Sequence, residues 1–483
     1  MSKKGSFSQG AVWVAGGEAL CQILTFLRNA FIARFVSPED FGVAATFALA
    51  LTLFEMLSNL AVDKFLIQSA TGNEPASQYT AQLIELGRNC ANAVALILVA
   101  GPLARTFGDT GLTWAFGVLA TVPFLRGLTN LDVYRIQREM KFSPLAGIEI
   151  ASSVASTLAA VPLGYYLKDY SAMLYVVILK TCVFVVSSHL VSTRSYRLAF
   201  EPRVAKDIWH FGWPLIANGL VMFAIYQGDR FIIASGDTFF PNSKFGLNDL
   251  GFYAVGFALA TSVTEFLSKI SNTLLLPLFS TLHSDSTTRR MVIERLALLS
   301  STIGSGVCAF FIIVGARAVV FVYGPQYAAI GPLIGWIGAA QGLRLLRVAP
   351  ISALLASGDT RGVLIANLVR SGSLIATAVI AHAGGVLESV AIAAFVAEAV
   401  AVIYCAQRIG WGGLRGWVVA FLVYASISLL SCWWKTAIGA DEIVLELGGL
   451  IAAGVAASVV FLHGAKGVTR MLRAGALLAK GED

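Results

Sequence analysis

Eight basic side chains sit inside stretches that are otherwise apolar: Arg28, Lys64, Arg88, Arg126, Lys180, Arg230, Lys269 and Arg370. Facing lipid at mid-depth, each would cost about 2.5–3.5 kcal/mol or more, so most of them must face water, a partner or a ligand. Glu85 and Arg88 are three apart and Glu265 and Lys269 four apart, spacings at which helical side chains can pair. Lys64, its neighbour Asp63 and Arg88 can instead extend to an interface. Arg126, Lys180 and Arg370 have no acidic residue three or four positions away. Arg28 and Arg230 fall toward the same ends of the first and seventh apolar segments. These five predict a cationic, water-filled cavity between two halves of the chain. Lys269 joins them as a substrate-cavity candidate, for a reason given with the repeat below. Arginine grips phosphate with two parallel bonds and lysine meets it as a point charge. The ligand class is therefore anionic, a phosphate or an acidic sugar. Glu55, Glu265 and Glu398 lie near mid-span and are candidates for proton or ion coupling. The alternative for each is a hydrogen bond to a neighbouring helix.

Other chemistry is not indicated. There is no nucleotide-binding loop, no Ser-His-Asp set with supporting context and no His/Cys cluster at metal-ligand spacing. The cysteines at 21, 90, 182, 308, 405 and 432 are dispersed and read as small core residues. The sequence thus points away from an enzyme, a catalytic residue, a bound cofactor, a metal or a nucleic-acid partner.

The elements that must carry these charges are membrane spans. The chain has 483 residues, 57% hydrophobic and 13% charged, against about 25% charged for a soluble protein. A span takes about 20 apolar residues. On that measure the chain reads as an all-α polytopic membrane protein of about 14 helices: 10–34, 41–69, 79–101, 111–134, 143–166, 171–193, 213–235, 250–279, 290–314, 329–349, 362–381, 386–407, 416–434 and 443–463. Asp40, after Ser37-Pro38, reads as a cap for the second. With the N-terminus inside, Arg34, Arg105, Lys168, Lys244, Arg317 and Lys435 are counted to the outer loops, and the inner loops and tails hold the larger set, to which Arg344 and Arg347 at the inner end of span 329–349 are also counted. The positive-inside rule then places both termini in the cytoplasm.

One helical phrase occurs twice. Phe47-Ala48-Leu49-Ala50, then Glu55 and Leu57-Ser58, recurs as Phe257-Ala258-Leu259-Ala260, then Glu265 and Leu267-Ser268. A carboxylate placed identically in two apolar helices predicts two related halves, a common transporter plan. Where the first copy has Asn59 the second has Lys269, so the symmetry fails at a charge. The expected organisation is a six-helix lobe over 1–193 and a cytoplasmic linker over 194–212, with or without a short amphipathic helix. A second six-helix lobe over 213–407 follows, then two further helices with a basic tail over 408–483.

The stretch from Arg28-Asn29-Ala30 through Ser37-Pro38-Glu39-Asp40-Phe41-Gly42 to Leu66-Ile67-Gln68 resembles the polysaccharide transporter family, the Wzx-type oligosaccharide flippases of the multidrug/oligosaccharidyl-lipid/polysaccharide superfamily. Gln137-Arg138-Glu139-Met140-Lys141-Phe142, Phe211-Gly212-Trp213-Pro214-Leu215 and Tyr323-Gly324-Pro325-Gln326-Tyr327 look like segments at corresponding points of that family. The resemblance implies a two-lobed, alternating-access carrier for a polyprenyl-pyrophosphate-linked oligosaccharide. It would work in the bacterial inner membrane, in exopolysaccharide, O-antigen or capsule synthesis. A proton or sodium ion would be its coupling ion, and a polymerase and chain-length regulator its partners. The added helix pair resembles the fourteen-helix layout of lipid II flippases. Two alternatives stand beside this reading: a cation-coupled multidrug exporter of the same superfamily, and a membrane-embedded polymerase or glycosyltransferase. The excess of bases and the short outer loops count against them respectively. If Glu55 or Glu265 couples transport to an ion gradient, Glu55→Gln or Glu265→Gln should lose gradient dependence in proteoliposomes. Unchanged dependence in both would assign these carboxylates to packing.

Overall fold

A computed structural model describes residues 3–281, 286–409 and Ser426. Among them every regular element is helical. The first helices are α1 (Lys3–Ala33), α2 (Pro38–Ser58), α3 (Val62–Gln68), α4 (Pro75–Thr106), α5 (Thr113–Leu119), α6 (Thr121–Gly127) and α7 (Asp132–Arg138). Then come α8 (Ser143–Leu167), α9 (Ser171–Val191), α10 (Pro202–Ala234), the short α11 (Gly236–Phe239) and α12 (Leu247–Thr281). The last are α13 (Ser286–Ile313), α14 (Gly315–Tyr323), α15 (Gly331–Ala356), α16 (Thr360–His382) and α17 (Leu387–Ile409). Among the described residues eight helices are long and apolar enough to cross a membrane, or up to ten if each of two sharply bent pairs is one span. The expected spans 416–434 and 443–463 lie outside the described residues.

Local chemistry sets the helix ends. Ser37, not Asp40, caps α2: its Oγ accepts from the Asp40 amide at 3.1 Å and bonds the Asp40 carboxylate at 2.6 Å. Pro38 follows as the first helical residue, where its missing N–H loses no bond. Asp359 caps α16 in the same way, accepting from the Gly362 amide at 2.9 Å.

Two expected spans are broken rather than continuous. Span 41–69 stops at Ser58 and resumes at Val62. Asn59 Oδ1 takes the Ala61 amide at 2.7 Å, and Ala61 sits in the left-handed region at φ 48°. A side chain other than glycine adopts that conformation rarely, and helices do not continue through it. Span 111–134 likewise bends by 50° between 110–127 and Asp132–Arg138.

Contacts divide the chain into two compact units, Met1–Ala254 and Val255–Asp483. In the first, α10 lies along α2 and reaches the break. Gly219 approaches so closely that a Cβ there would overlap the Met56 carbonyl oxygen, and a Cβ at Gly212 would crowd that of Leu60. Residues 202–212, read from sequence as linker, are the first turns of α10. Val204 and Ile208 there are buried with Leu60, Phe65, Leu66 and Leu131. That anchoring is why contacts group α10 with the helices before it, whereas the repeat divides the chain at 194–212. The start of α12 joins the same unit through a second close crossing, Gly42 on Leu247 and Gly251 on Pro38. The second unit is centred on α15, whose Leu343, Leu346 and Ala349 pack with Val292 and Leu296 of α13 and Val402 and Ala406 of α17.

Gly219→Ala should destabilise the first unit by roughly 1–3 kcal/mol, because overpacking forces the backbone apart. Gly147 in α8 has open space where a Cβ would go, and Gly147→Ala should hold or raise the melting temperature of the detergent-solubilised protein. Equal behaviour of the two variants would contradict the α2–α10 crossing.

Candidate functional site: a charged cavity in the first unit

The break after Ser58 turns a line of polar groups toward one another. α4 carries Glu85, Arg88, Asn89 and Asn92 on one face, the spacing of adjacent helical turns. Arg88 forms a close ion pair with Glu85. Asn89 Nδ2 donates to Glu85 Oε1 at 3.0 Å. The Ser58 hydroxyl then accepts from Arg88 at 3.1 Å and from Asn92 at 2.8 Å. From sequence only the Glu85–Arg88 pair had been read. The two asparagines were the available signal, since amides inside an apolar helix need partners.

Glu85, Arg88, Asn89 and Asn92 form part of the wall of a cavity of about 460 Å³. Its other charged lining residues are Glu55 of α2, Asp63 of α3, Arg126 of α6, Glu149 of α8 and Lys180 of α9. Hydroxyls and amides fill the gaps, with the rings of Phe54, Tyr134 and Phe184 between them. The lining thus holds three bases and four carboxylates: Arg88, Arg126 and Lys180 against Glu55, Asp63, Glu85 and Glu149. The sequence led to the expectation of a cationic cavity, and this one carries both signs.

Arg126 has no acid on its own helix because its partner comes from α2. Its Nη1 lies 2.6 Å from Glu55 Oε2, and both side chains are 47% exposed. The expected substrate group and the expected coupling carboxylate are therefore one ion pair. Lys180 lies where Arg28 and Arg126 repel it and Glu149 attracts it. Among the described residues Lys180 is in no ion pair. Arg28 itself donates to Asn29 Oδ1 at 3.0 and 3.2 Å and is not on the cavity lining. Arg230 is also off this lining, donating to Gln227 Oε1 at 3.0 Å. The neighbouring Asp229 accepts from the Tyr253 hydroxyl at 2.6 Å.

The second unit holds the remaining described candidates. Glu398 of α17 lies 3.0 Å from Arg347 of α15 and 3.7 Å from Arg370 of α16, all three side chains largely buried. Arg347 was counted to the inner loops, at the inner end of span 329–349. α15 runs on to Ala356 through Pro350, so Arg347 belongs inside a helix and is 8% exposed. Glu265 is half-buried on α12, and the Lys269 side chain lies outside the described residues.

The segment Gln137–Phe142 has a structural job. Arg138 donates to the carbonyls of Leu66 and Ile67, both at 3.2 Å, and closely to Ser69. It thereby satisfies the open end of α3. Asp132 is fully buried, accepting from Arg135 Nε at 2.6 Å and from the Thr193 and Arg194 amides at 2.8 and 3.0 Å. Among the described residues no group of three or more His, Cys, Asp or Glu could hold a metal.

This all-helical bundle with broken spans is similar in fold to several solved membrane transporters. The chain matches the lipid II flippase MurJ, inward closed conformation, with a TM-score of 0.66 at 13% identity, over 96% of this chain and 99% of that one. It matches an inward-facing multidrug resistance MATE transporter with a TM-score of 0.61 at 14% identity, over 84% and 96%. A MOP transporter from Pyrococcus furiosus, described by the reverse polarity of its binding pocket, gives 0.56 at 12% identity, over 87% and 96%. No curated protein matches in sequence. Residues 31–332 match the polysaccharide biosynthesis protein family, and the chain belongs to that family.

Truncating Glu398 to alanine removes the carboxylate that the buried Arg347 shares with Arg370 and should cost about 3–5 kcal/mol. Glu55→Gln, at a half-exposed pair, should cost under about 1 kcal/mol. Thermal unfolding of the purified variants would reverse this assignment if Glu55→Gln proved the more damaging.

Proposed function

We propose that the protein is a flippase for a polyprenyl-(pyro)phosphate-linked oligosaccharide. It moves its substrate by alternating access from the inner to the outer leaflet of a bacterial cytoplasmic membrane, with both termini in the cytoplasm. The products served are cell-surface polysaccharides. The observation that carries this reading is the polar cavity buried among apolar helices, in a chain of the polysaccharide biosynthesis family. Lining a bilayer-embedded space with seven charged groups would be unfavourable unless that space holds water and a polar ligand. Lys180, free of an ion pair among the described residues, receives the phosphate. Arg126 and Glu55 open or close as one unit beside it. Arg28, Arg230, Lys269 and Arg370 remain further candidates for contacts along the route, and Glu55, Glu265 and Glu398 for coupling to protons or sodium.

A cation-coupled exporter is the second reading, favoured by one observation: carboxylates outnumber bases on the cavity wall. The same proteoliposomes distinguish the two. With a fluorescent short-chain polyprenyl-pyrophosphate sugar, wild-type protein should transfer the probe between leaflets, and Lys180→Gln should slow transfer about tenfold or more, the worth of one charge-assisted phosphate contact. Wild-type rates in a folded Lys180→Gln variant would remove Lys180 from the site. Gradient-driven ethidium movement with no glycan transfer would establish the exporter.

A further inference from the structure

The three bases on the cavity lining are held in three different ways. Arg88 pairs with Glu85 on its own helix and also donates to the Ser58 hydroxyl at 3.1 Å, and its side chain is only 13% exposed. Lys180 is in no ion pair among the described residues. Arg126 is held by one group, the Glu55 carboxylate, which reaches it from α2 at 2.6 Å. Among the described residues neither Arg126 nor Glu55 has a second hydrogen-bond or ion-pair partner for its side chain. Both side chains are 47% exposed and both face the cavity. Of the two paired lining bases, Arg126 is the one that water or a ligand can reach.

We propose that Glu55 is a stand-in anion. In the empty carrier its carboxylate fills the place on Arg126 that a phosphate of the substrate takes, and the arriving phosphate displaces it. The inference rests on the flippase reading above and deepens it, adding Arg126 as a phosphate contact and Glu55 as the residue that sets its strength. A carboxylate and a phosphate offer a guanidinium the same pair of acceptor oxygens, so one can replace the other on Arg126. At a half-exposed pair the exchange costs little, whereas at the buried Arg88 it would strand a charge. Pyrophosphate carries more charge and more oxygens than one carboxylate, so it can replace Glu55 and still offer oxygens to another base of the lining. Between cycles the stand-in keeps an unpaired guanidinium out of a membrane-embedded space. On its return it competes with the phosphate and so assists release. The cost to the ligand equals the worth of the displaced pair, up to about fivefold in affinity for a half-exposed one.

The test is the binding of inorganic pyrophosphate to the full chain in detergent, measured by isothermal titration calorimetry on wild type, Glu55→Gln, Arg126→Gln and the double variant. Glu55→Gln should bind about two- to fivefold more tightly, because the competitor is gone. Arg126→Gln should bind at least about threefold more weakly, having lost a charge-assisted contact. In that background, adding Glu55→Gln should tighten binding by less than about twofold, since no guanidinium is left to compete for. Glu55→Ala is a second variant with the same expected direction as Glu55→Gln. A gain below about twofold in both Glu55 variants, or any loss, overturns the proposal. So does a gain of about twofold or more in the Arg126→Gln background, because Glu55 would then act as a distant charge. Undiminished binding in Arg126→Gln, or no binding by wild type, overturns it as well. The leaflet-transfer assay on the same preparations reports on the flippase reading separately. Probe transfer by wild type with no gain in Glu55→Gln would sink this inference alone. The expected gain with no probe transfer would sink the flippase reading and leave Glu55 competing for an anion site of another carrier.

Discussion

A guanidinium inside an apolar bundle needs either a counter-charge or water, and most of the internal architecture follows from that need. Arg347 and Arg370 share Glu398 from a third helix, so one carboxylate ties α15, α16 and α17 together. Arg126 and Glu55 tie α6 to α2 at a place where both side chains remain half exposed. The difference in exposure separates the two arrangements. A buried ion pair with no access to water is held by its own desolvation. A half-exposed one can exchange partners at small cost.

The breaks in α2–α3 and α6–α7 serve the same need. A continuous helix consumes its own backbone polar groups and presents side chains at a fixed pitch. Interrupting it frees carbonyls and amides and re-aims the flanking side chains. Glu55 and Asp63 flank the first break and Arg126 precedes the second, and all three line the cavity. The freed backbone groups are then satisfied by particular side chains, with Asn59 serving the Ala61 amide and Arg138 the carbonyls ending α3. The glycines of α10 bring a whole helix backbone against α2 next to its break. The discontinuity is thereby backed by packing and not left to solvent.

The all-helical membrane fold was legible because composition and apolar run length report burial in lipid directly. Charges standing alone in those runs, such as Arg126 and Lys180, were legible for the same reason. Their partners were not. Glu55 is 71 residues from Arg126, and Glu398 is 51 from Arg347, distances over which helix periodicity carries no information. α15 runs past the expected end of its span at 349 to Ala356, because a helix that continues through a proline looks, in sequence, like a helix that has ended. Glu85 and Glu149 stand on different helices, and only the tertiary arrangement brings them to the lining of one cavity with Arg126 and Lys180.

The arginine cap on α3 has a consequence for how the protein is made. The carbonyls of Leu66 and Ile67 are completed by a side chain 72 and 71 residues later in the chain, respectively. Asp132 in turn waits for the Thr193 and Arg194 amides. As the nascent chain leaves the ribosome, the early helices therefore enter the bilayer with a polar end still open. They must be sheltered by the insertion machinery or by water until α7, and then the end of α9, has been synthesised. Biogenesis of the first unit is thus a relay at two points, the end of α3 and Asp132, each satisfied by residues translated well after it.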